Sequence, residues 1–469
     1  MHFTTDKQTL EDLNIFGKQD DGSIYTIFNH IRTRGGAMLL EQLFREPLSR
    51  PEAIRKRIGI IRFFAGAELV FPFKPEWFDA IEQYLANTDE RTRLSHEDAG
   101  LGRRIAGMIT LNTEQAIIHK GVAAALEMVH ACRDFVSAMT QDSASQVHGA
   151  SHVDSASQTD STSQVDSAPY ADERNALKNL LNEAAFSDLL QQSPRKKLTF
   201  EQVADFDQQL RFRNRSVIRQ LLQHIYYLDL YLTVAHVAVA HNFAFPTILE
   251  QEAHTVKLRG LYHPGLSNPV SNAIHITPDN NVVFLTGANM AGKSTFMKSL
   301  GIALYLGHMG FPVAAAEMSF SLLDGLFTTI NLADNLGMGA SHFYAEVLRV
   351  KKVAEELKRG KNLLVIFDEL FRGTNVKDAY EATIAITEAF AGMRESIFVI
   401  STHIIEAGEV LRKRCDNIGF LFLPTRMEGT KPIYTYQLEQ GITDDRHGMV
   451  IIRNEGILDI LENGNLNES

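Results

Sequence analysis

Residues 286–301, TGANMAGKSTFMKSLG, complete an uninterrupted apolar run, VVFLTG, and open into a helical pattern. A strand, a glycine-bracketed bend and a helix, in that order, constrain the fold more than any other feature of this chain. Gly287, Gly292, Lys293 and Ser294 satisfy the pattern G-x-x-x-x-G-K-[ST]. The glycines let the main chain curl so that successive amides face phosphate oxygens. The lysine reaches the outer phosphates, and the hydroxyl suits magnesium. The helix N-terminus that follows favours an anion. An ordinary glycine turn would match the spacing, but it does not call for the flanking strand and helix. The reading is a nucleotide site.

Two more apolar runs, LLVIFDEL and IFVISTH, alternate with helical stretches. Short, fully apolar runs separated by helices are the pattern of a parallel sheet covered on both faces. The first run ends in Asp368 and Glu369, at the end of a strand where ligands bind in open α/β sheets. Asp368 is the expected holder of the magnesium or its water, and Glu369 is placed to polarise a water for attack on the terminal phosphate. A solvated strand end is the plainer alternative. His403 follows the second run, where a phosphate contact and a satisfied structural histidine are both open. GMGASHFYAEV, at 337–347, is glycine-rich and runs into a helix; a helix cap at Ser341 explains it equally well.

The expected fold class is mixed: an N-terminal all-α core and lever region, then an α/β phosphate-loop domain of the ABC-type ATPase class. Residues 1–140 read as a helical core, with a break at Gly35-Gly36 and a helix starting near Pro51. Residues 141–172 are rich in Ser, Ala, Asp, Gln and Thr with the near-repeat SASQTD, STSQVD, and read as a disordered linker. Helical signal returns over 173–250 and includes FEQVADFDQQLRFRNRSVIRQLLQHIYYLDLYL, whose length suggests one long or two consecutive helices; Pro246 ends it, and the α/β domain takes 251–469. IGFLFLP and IYTYQLEQG are expected as strands of an edge extension.

With 469 residues and a net charge of -11, the chain has no global attraction for polyanions. Contact with nucleic acid would need local basic stretches, of which RKR at 55–57, PRKK at 194–197 and RFRNR at 211–215 are the candidates. Helix faces dissolved in water explain them as well. Two distant cysteines fit a reducing compartment. The start lacks a signal-peptide pattern. The most apolar segment, YYLDLYLTVAHVAVAHNFAF, is broken by Asp229, His236 and His241, so it reads as a buried helix and not a membrane span. A cytoplasmic protein is expected.

Four of these segments, in order, resemble the MutS family of mismatch-repair ATPases, itself similar to ABC-type ATPases. That family's phosphate loop reads G-P-N-M-G-G-K-S-T; here GANMAGKST keeps Asn289 and Met290 and substitutes Ala288 and Ala291. DELFRGTN matches its carboxylate strand and R-G-T-S through Arg372, Gly373 and Thr374, with Asn375 departing. Ser341, Phe343 and Glu346 match S-x-F-x-x-E, and Thr402 and His403 match T-H. YHPGL at 262–266 is similar to the R-H-P turn opening the family's ATPase domain, with Tyr262 for arginine. YTYQLEQGITDDRHGM resembles its closing strand, and GGAMLLEQLFREPLSRPEAIRKRI its helical core.

The resemblance implies ATP and Mg2+ as cofactors. It implies ATP binding by Gly287, Ala288, Asn289, Met290, Ala291, Gly292, Lys293, Ser294 and Thr295. Ser294 and Asp368 would be metal ligands, with Glu369, His403 and Lys293 acting in hydrolysis. Ser341 would reach the phosphate bound by a partner subunit, so the sites would be composite in a homodimer. DNA is the implied substrate, with other repair proteins as further partners and no membrane. The chain resembles a shortened member, without the F-x-E mismatch-reading domain before the core, and with the Ser/Asp/Gln segment where the DNA clamp is usually inserted. Two other readings stand beside this one. A nucleotide-switched structural protein could clamp another protein without DNA, and a phosphate-loop kinase or transferase fares worse because no acceptor pocket has a signature.

Overall fold

Helices alternate with strands only in the second half of the chain, and the computed structural model describes residues 3–17, 22–67, 69–94, 110–149, 169–330, 342–428, 431–443, 456 and 460–461. The chain first forms helices α1 (Lys7–Asp12), α2 (Ile24–Phe28), α3 (Arg34–Arg45), α4 (Pro51–Gly66), α5 (Pro75–Ala86) and α6 (Thr110–Gly149). Next come α7 (Ala171–Leu181), α8 (Ala184–Gln191), α9 (Phe200–Asp207), a π-helical turn Gln208–Arg213, and α10 (Arg215–Ala240). Strands β1 (Thr247–Ile248), β2 (Val256–Leu261), β3 (Asn272–Ile276) and β4 (Val282–Gly287) lead into α11 (Lys293–Met309). After β5 (Glu317–Phe320) and β6 (Gly325–Thr329) come α12 (His342–Lys358), β7 (Leu363–Phe367), α13 (Val376–Ala391), β8 (Ile397–Ser401) and α14 (Ile405–Arg414). Strands β9 (Ile418–Leu423), β10 (Thr425–Glu428), β11 (Lys431–Tyr434) and β12 (Glu439–Gln440) close the described fold. Among the described residues no helix is long and apolar enough to cross a membrane.

Contacts divide the chain into two units. One comprises Met1–Phe28, Leu43–Ile58 and Val237–Ser469; the other comprises Asn29–Gln42 and Gly59–His236. Residues 1–28 and 43–58 therefore belong with the strands, although they were expected with the helices. The reason is direct pairing: Thr4 exchanges main-chain bonds with Asp324 (2.8 Å) and Leu326 (2.9 Å) at the start of β6, covering that sheet edge.

In the helical unit the break falls at 29–33, and Gly35 and Gly36 lie just after it in the first turn of α3. The two glycines serve close approach instead. A Cβ on Gly35 would lie 2.3 Å from the Tyr226 ring, and one on Gly36 would lie 2.7 Å from Thr33 Oγ1. Helix α6 reaches Gly149, into the first residues of the segment expected as linker, and 150–168 lie outside the described residues. In 173–250 the short helices α7 and α8 come first, and the stretch 200–232 then falls in two consecutive pieces divided at Asn214, α9 with its π-turn and α10. The last of them ends at Ala240, ahead of Pro246, with Asn242 in the left-handed region at φ 53°.

In the other unit a six-stranded sheet has the order β12-β9-β4-β8-β7-β6. β9, β4, β8, β7 and β6 run parallel, and β12 is antiparallel to β9. Every residue of β4, β6, β7 and β8 is buried, which accounts for the almost uninterrupted apolar sequence of β4, β7 and β8. A second sheet, β1-β5-β2-β3, is mixed. The buried helix α11 packs on β4, β6 and β7, while its Gly307 meets Met318 and Phe320 of β5. A helix covered on both sides must be apolar all round, as this one is over Leu300–Leu306. The tyrosine stretch does not extend the main sheet: β11 pairs with β10, and only Glu439–Gln440 joins β9.

His308, near the C-terminal end of α11, is fully buried between the Phe3 and Phe320 rings. Its Nδ1 bonds the Leu304 carbonyl at 2.8 Å, and its Nε2 accepts from the Leu323 amide at 3.0 Å. Burial pushes its pKa down to about 4, against the pull of the Leu304 carbonyl. The unfolded chain therefore binds this proton first. The stability contributed by neutral His308 is complete above about pH 6.5 and falls away as pH drops towards 4. Wild type should lose roughly 1 kcal/mol more than His308→Asn between pH 7 and 5.5 in denaturant titrations. A pH-independent gap between the two would contradict this.

Candidate functional site

The loop after β4 is shaped by positions that tolerate little but glycine. Gly287 has φ 142°, and a Cβ there would come within 3.0 Å of the Leu423 carbonyl on β9. Gly292 has φ 101°, and its Cβ would sit 3.1 Å from the Tyr436 ring. Met290, between them, is also left-handed at φ 69° and is 78% exposed. Lys293 opens α11, is buried, and folds its Nζ onto the carbonyls of Gly287 (2.8 Å) and Ala288 (3.1 Å). Burial lowers its pKa, with Asp368 and Glu369 pulling the other way.

The carboxylates sit at the end of β7, beside this loop. Ser294 Oγ donates to Asp368 Oδ2 at 2.5 Å. Asp368 Oδ1 is buried and has no hydrogen-bond partner among the described residues. The Asp368 amide donates to Thr329 O at 2.9 Å, which carries the β6–β7 ladder one step past the strand. Glu369 adopts φ 53°, a left-handed conformation that costs a non-glycine residue roughly 1–2 kcal/mol. Its Oε1 lies 2.8 Å from His403 Nε2, and its Oε2 accepts from Arg372 Nη1 at 2.6 Å. Burial raises the Glu369 pKa, but the Arg372 and His403 hydrogen bonds outweigh it and the net shift is downward. Thus β4, β8 and β7, neighbours in the sheet, bring Lys293, His403 and the Asp368–Glu369 pair to one set of carboxyl ends. Among the described residues no group of three or more His, Cys, Asp or Glu could hold a metal alone.

Ser341 lies outside the described residues. Phe343 packs on the sheet core and faces Phe371 at 5.8 Å, and Glu346 is buried on α12. Asn375 caps α13, its side chain accepting from the Asp378 amide at 2.9 Å. Serine and asparagine are equivalent in that task, so this departure keeps the local structure.

Sequence reasoning missed two features. The first is a cavity of ≈330 Å³ beside the loop, lined by His263, Pro269, Val270, Asn272, Gly292 and Tyr436 among others. Its walls run from Leu261 to Tyr436, segments far apart in the chain, so only folding reveals it. The second is a network behind the carboxylates. Arg349 of α12 donates to Thr328 O (2.7 Å) and Thr329 Oγ1 (3.1 Å), and pairs with Asp6, the N-cap of α1. Asp12 holds Thr328 Oγ1 (2.7 Å) and the Ile330 amide (2.9 Å). Thr329, whose carbonyl accepts from the Asp368 amide, is therefore tied through its hydroxyl and Arg349 to the N-cap of the N-terminal helix.

The basic stretches divide. Arg57 donates to the Met309 carbonyl at 2.6 Å, closing the end of α11, and Arg55 pairs with Glu250 at 3.5 Å. Arg211 forms a wholly buried ion pair with Asp207, and Arg215 donates to Leu85 O at 2.5 Å. Arg195, Lys196 and Lys197 face solvent.

Fold and site together define an α/β protein of the strand–glycine loop–helix kind, carried in one chain with a long-helix unit. Sequence profiles of MutS domain III and MutS domain V match residues 8–235 and 283–464. The chain belongs to the MutS family. DNA mismatch repair protein MutS of Petrotoga mobilis is 29% identical over 257 residues, 52% of this chain and 30% of that protein. The proteins of the same name from Thermotoga maritima and Lawsonia intracellularis are 27% and 28% identical over 53% and 49% of the chain. The match spans 26–31% of the length of these curated relatives.

Proposed function

We propose that this protein binds ATP at 287–295 and hydrolyses it, as a homodimer acting on DNA in mismatch repair or a related transaction. The observation that carries the reading is the meeting of Lys293, Ser294, Asp368, Glu369 and His403 at adjacent strand ends. Lys293, now turned onto loop carbonyls, would swing to the outer phosphates. The cavity walled by Tyr436, Val270 and Pro269 would take the base. Magnesium fits the residues present: a hydroxyl and a carboxylate lie side by side, and the second carboxylate oxygen, Asp368 Oδ1, is buried without a partner among the described residues. When bound, the ion would neutralise charge on the phosphates. Glu369, lined up by His403, would accept the proton of the attacking water.

Calorimetry with Mg–ATP tests the binding. Lys293→Ala should weaken it by about 1.5–3 kcal/mol, roughly ten- to a hundredfold, through loss of a charge-assisted contact. No uptake of ATP or ADP by the wild-type chain would overturn the reading.

A second reading, a nucleotide-switched clamp on another protein, is favoured by one observation. Arg57, Arg211 and Arg215 are committed to internal contacts, so fewer cations face solvent than the sequence offers. Binding of DNA that weakens steeply from low to high salt would support the first reading. No binding at low salt, with or without ATP, would support the second.

A further inference from the structure

The cavity wall formed by Tyr436 is held by very little of its own. β11 ends at Tyr434 and β12 begins at Glu439, so 435–438 cross between strands without a ladder. Tyr436 itself is left-handed at φ 57°, which a non-glycine backbone disfavours, and 45% exposed, with the Tyr434 ring 6.2 Å away as its aromatic neighbour. Thr435 donates its amide (3.5 Å) and hydroxyl (3.3 Å) to the Pro424 carbonyl, and beyond it the segment is reached by the side chain of Asn272, on β3 of the other sheet. Its Nδ2 donates to the Tyr436 carbonyl at 3.0 Å, and its Oδ1 accepts from the Leu438 amide at 2.7 Å. Only this orientation of the amide satisfies both groups, so a carbonyl and an N–H two residues apart are closed by one side chain. The ring then rests on Gly292, where only glycine leaves it room. Asn272 and Tyr436 share the cavity lining.

We propose that Asn272 is a positioning residue for the nucleotide base: by pinning 436 and 438 it holds the Tyr436 ring as the stacking wall of the cavity beside the phosphate loop. This rests on the nucleotide-binding reading above and deepens it. The phosphate contacts come from 287–294, which Asn272 does not support, so base and phosphate recognition separate at this residue. A tie between two sheets with a merely structural role would affect both equally.

Calorimetry of the full-length wild type, Asn272→Ala and Tyr436→Ala with Mg–ATP and with Mg–tripolyphosphate decides between these. Asn272→Ala should bind ATP about tenfold more weakly, the scale of one base–aromatic stack, while tripolyphosphate affinity stays at the wild-type value. Tyr436→Ala should give the same pattern, and the double variant should lose no more than either single one. In turnover, KM should rise with kcat held. Unchanged ATP affinity in Asn272→Ala, or an equal loss for both ligands, would overturn the proposal while the nucleotide reading stood. A wild type that binds neither ligand would instead remove the reading itself, and this inference with it.

Discussion

Glu369→Gln is expected to slow ATP hydrolysis by a factor of about 10² to 10⁴, the usual contribution of a positioned general base, while Mg–ATP stays bound. The substitution keeps the side chain's size but removes its ability to take a proton. Its neighbours sharpen the expectation. His403 lies 2.8 Å from one oxygen, and Arg372 donates to the other at 2.6 Å. The glutamine amide would have to turn its NH2 towards one of these donors, so the variant also loses part of the alignment. A bound but unspent nucleotide should then accumulate, and with it any dimer that ATP assembles. Single-turnover hydrolysis and sedimentation with ATP measure the two effects. Full turnover by Glu369→Gln would refute the role given to this residue.

The largest effect on stability should come from the helical unit. Arg211 and Asp207 are both wholly buried, joined by two bonds of 2.7 and 2.6 Å. Arg211 also donates to Thr92 Oγ1 at 3.0 Å and to the Thr92 carbonyl at 3.2 Å. Arg211→Met leaves the Asp207 carboxylate buried and uncompensated, a loss of about 3–5 kcal/mol. That is comparable to the whole stability of a marginal domain, roughly 5–15 kcal/mol. Replacing both partners, Asp207→Leu with Arg211→Met, should recover most of the loss, because no buried charge then remains. Urea unfolding of the two variants measures the difference. Equal destabilisation of single and double variants would show that the Thr92 contacts, not the ion pair, carry the energy.

Arg211 also shows why charge runs are hard to read from sequence. RFRNR has the composition of a solvent-facing or nucleic-acid-facing helix, yet its first arginine is core. The signal that separates the two cases is Asp207 four positions earlier. That spacing is equally common on exposed helices, where it forms weak surface pairs. Only knowledge of what packs over the turn distinguishes them. Gly35 and Gly36 teach the same lesson for backbone. In sequence they look like a helix break, which falls just before them at 29–33, but with Tyr226 and Thr33 pressed against α3 they are the only residues that fit.

What the sequence alone determined is whatever a few adjacent residues enforce. The strand, glycine bend and helix at 282–309, the fully apolar runs of β7 and β8, and the placing of Asp368, Glu369 and His403 after them all follow from local pattern. A parallel strand presents its C-terminal residues at one edge whatever surrounds it, so naming the strand ends also named the candidate site. Tertiary structure alone decided the rest. The cavity joins 263–272 to Gly292 and Tyr436, and the support of Asp368 runs through Arg349 to Asp6 across more than 340 positions. The N-terminal segment pairs with a strand edge it precedes by some 320 residues. Contacts at such separation depend on the closure of the whole chain, and no periodicity or spacing within a short window encodes them.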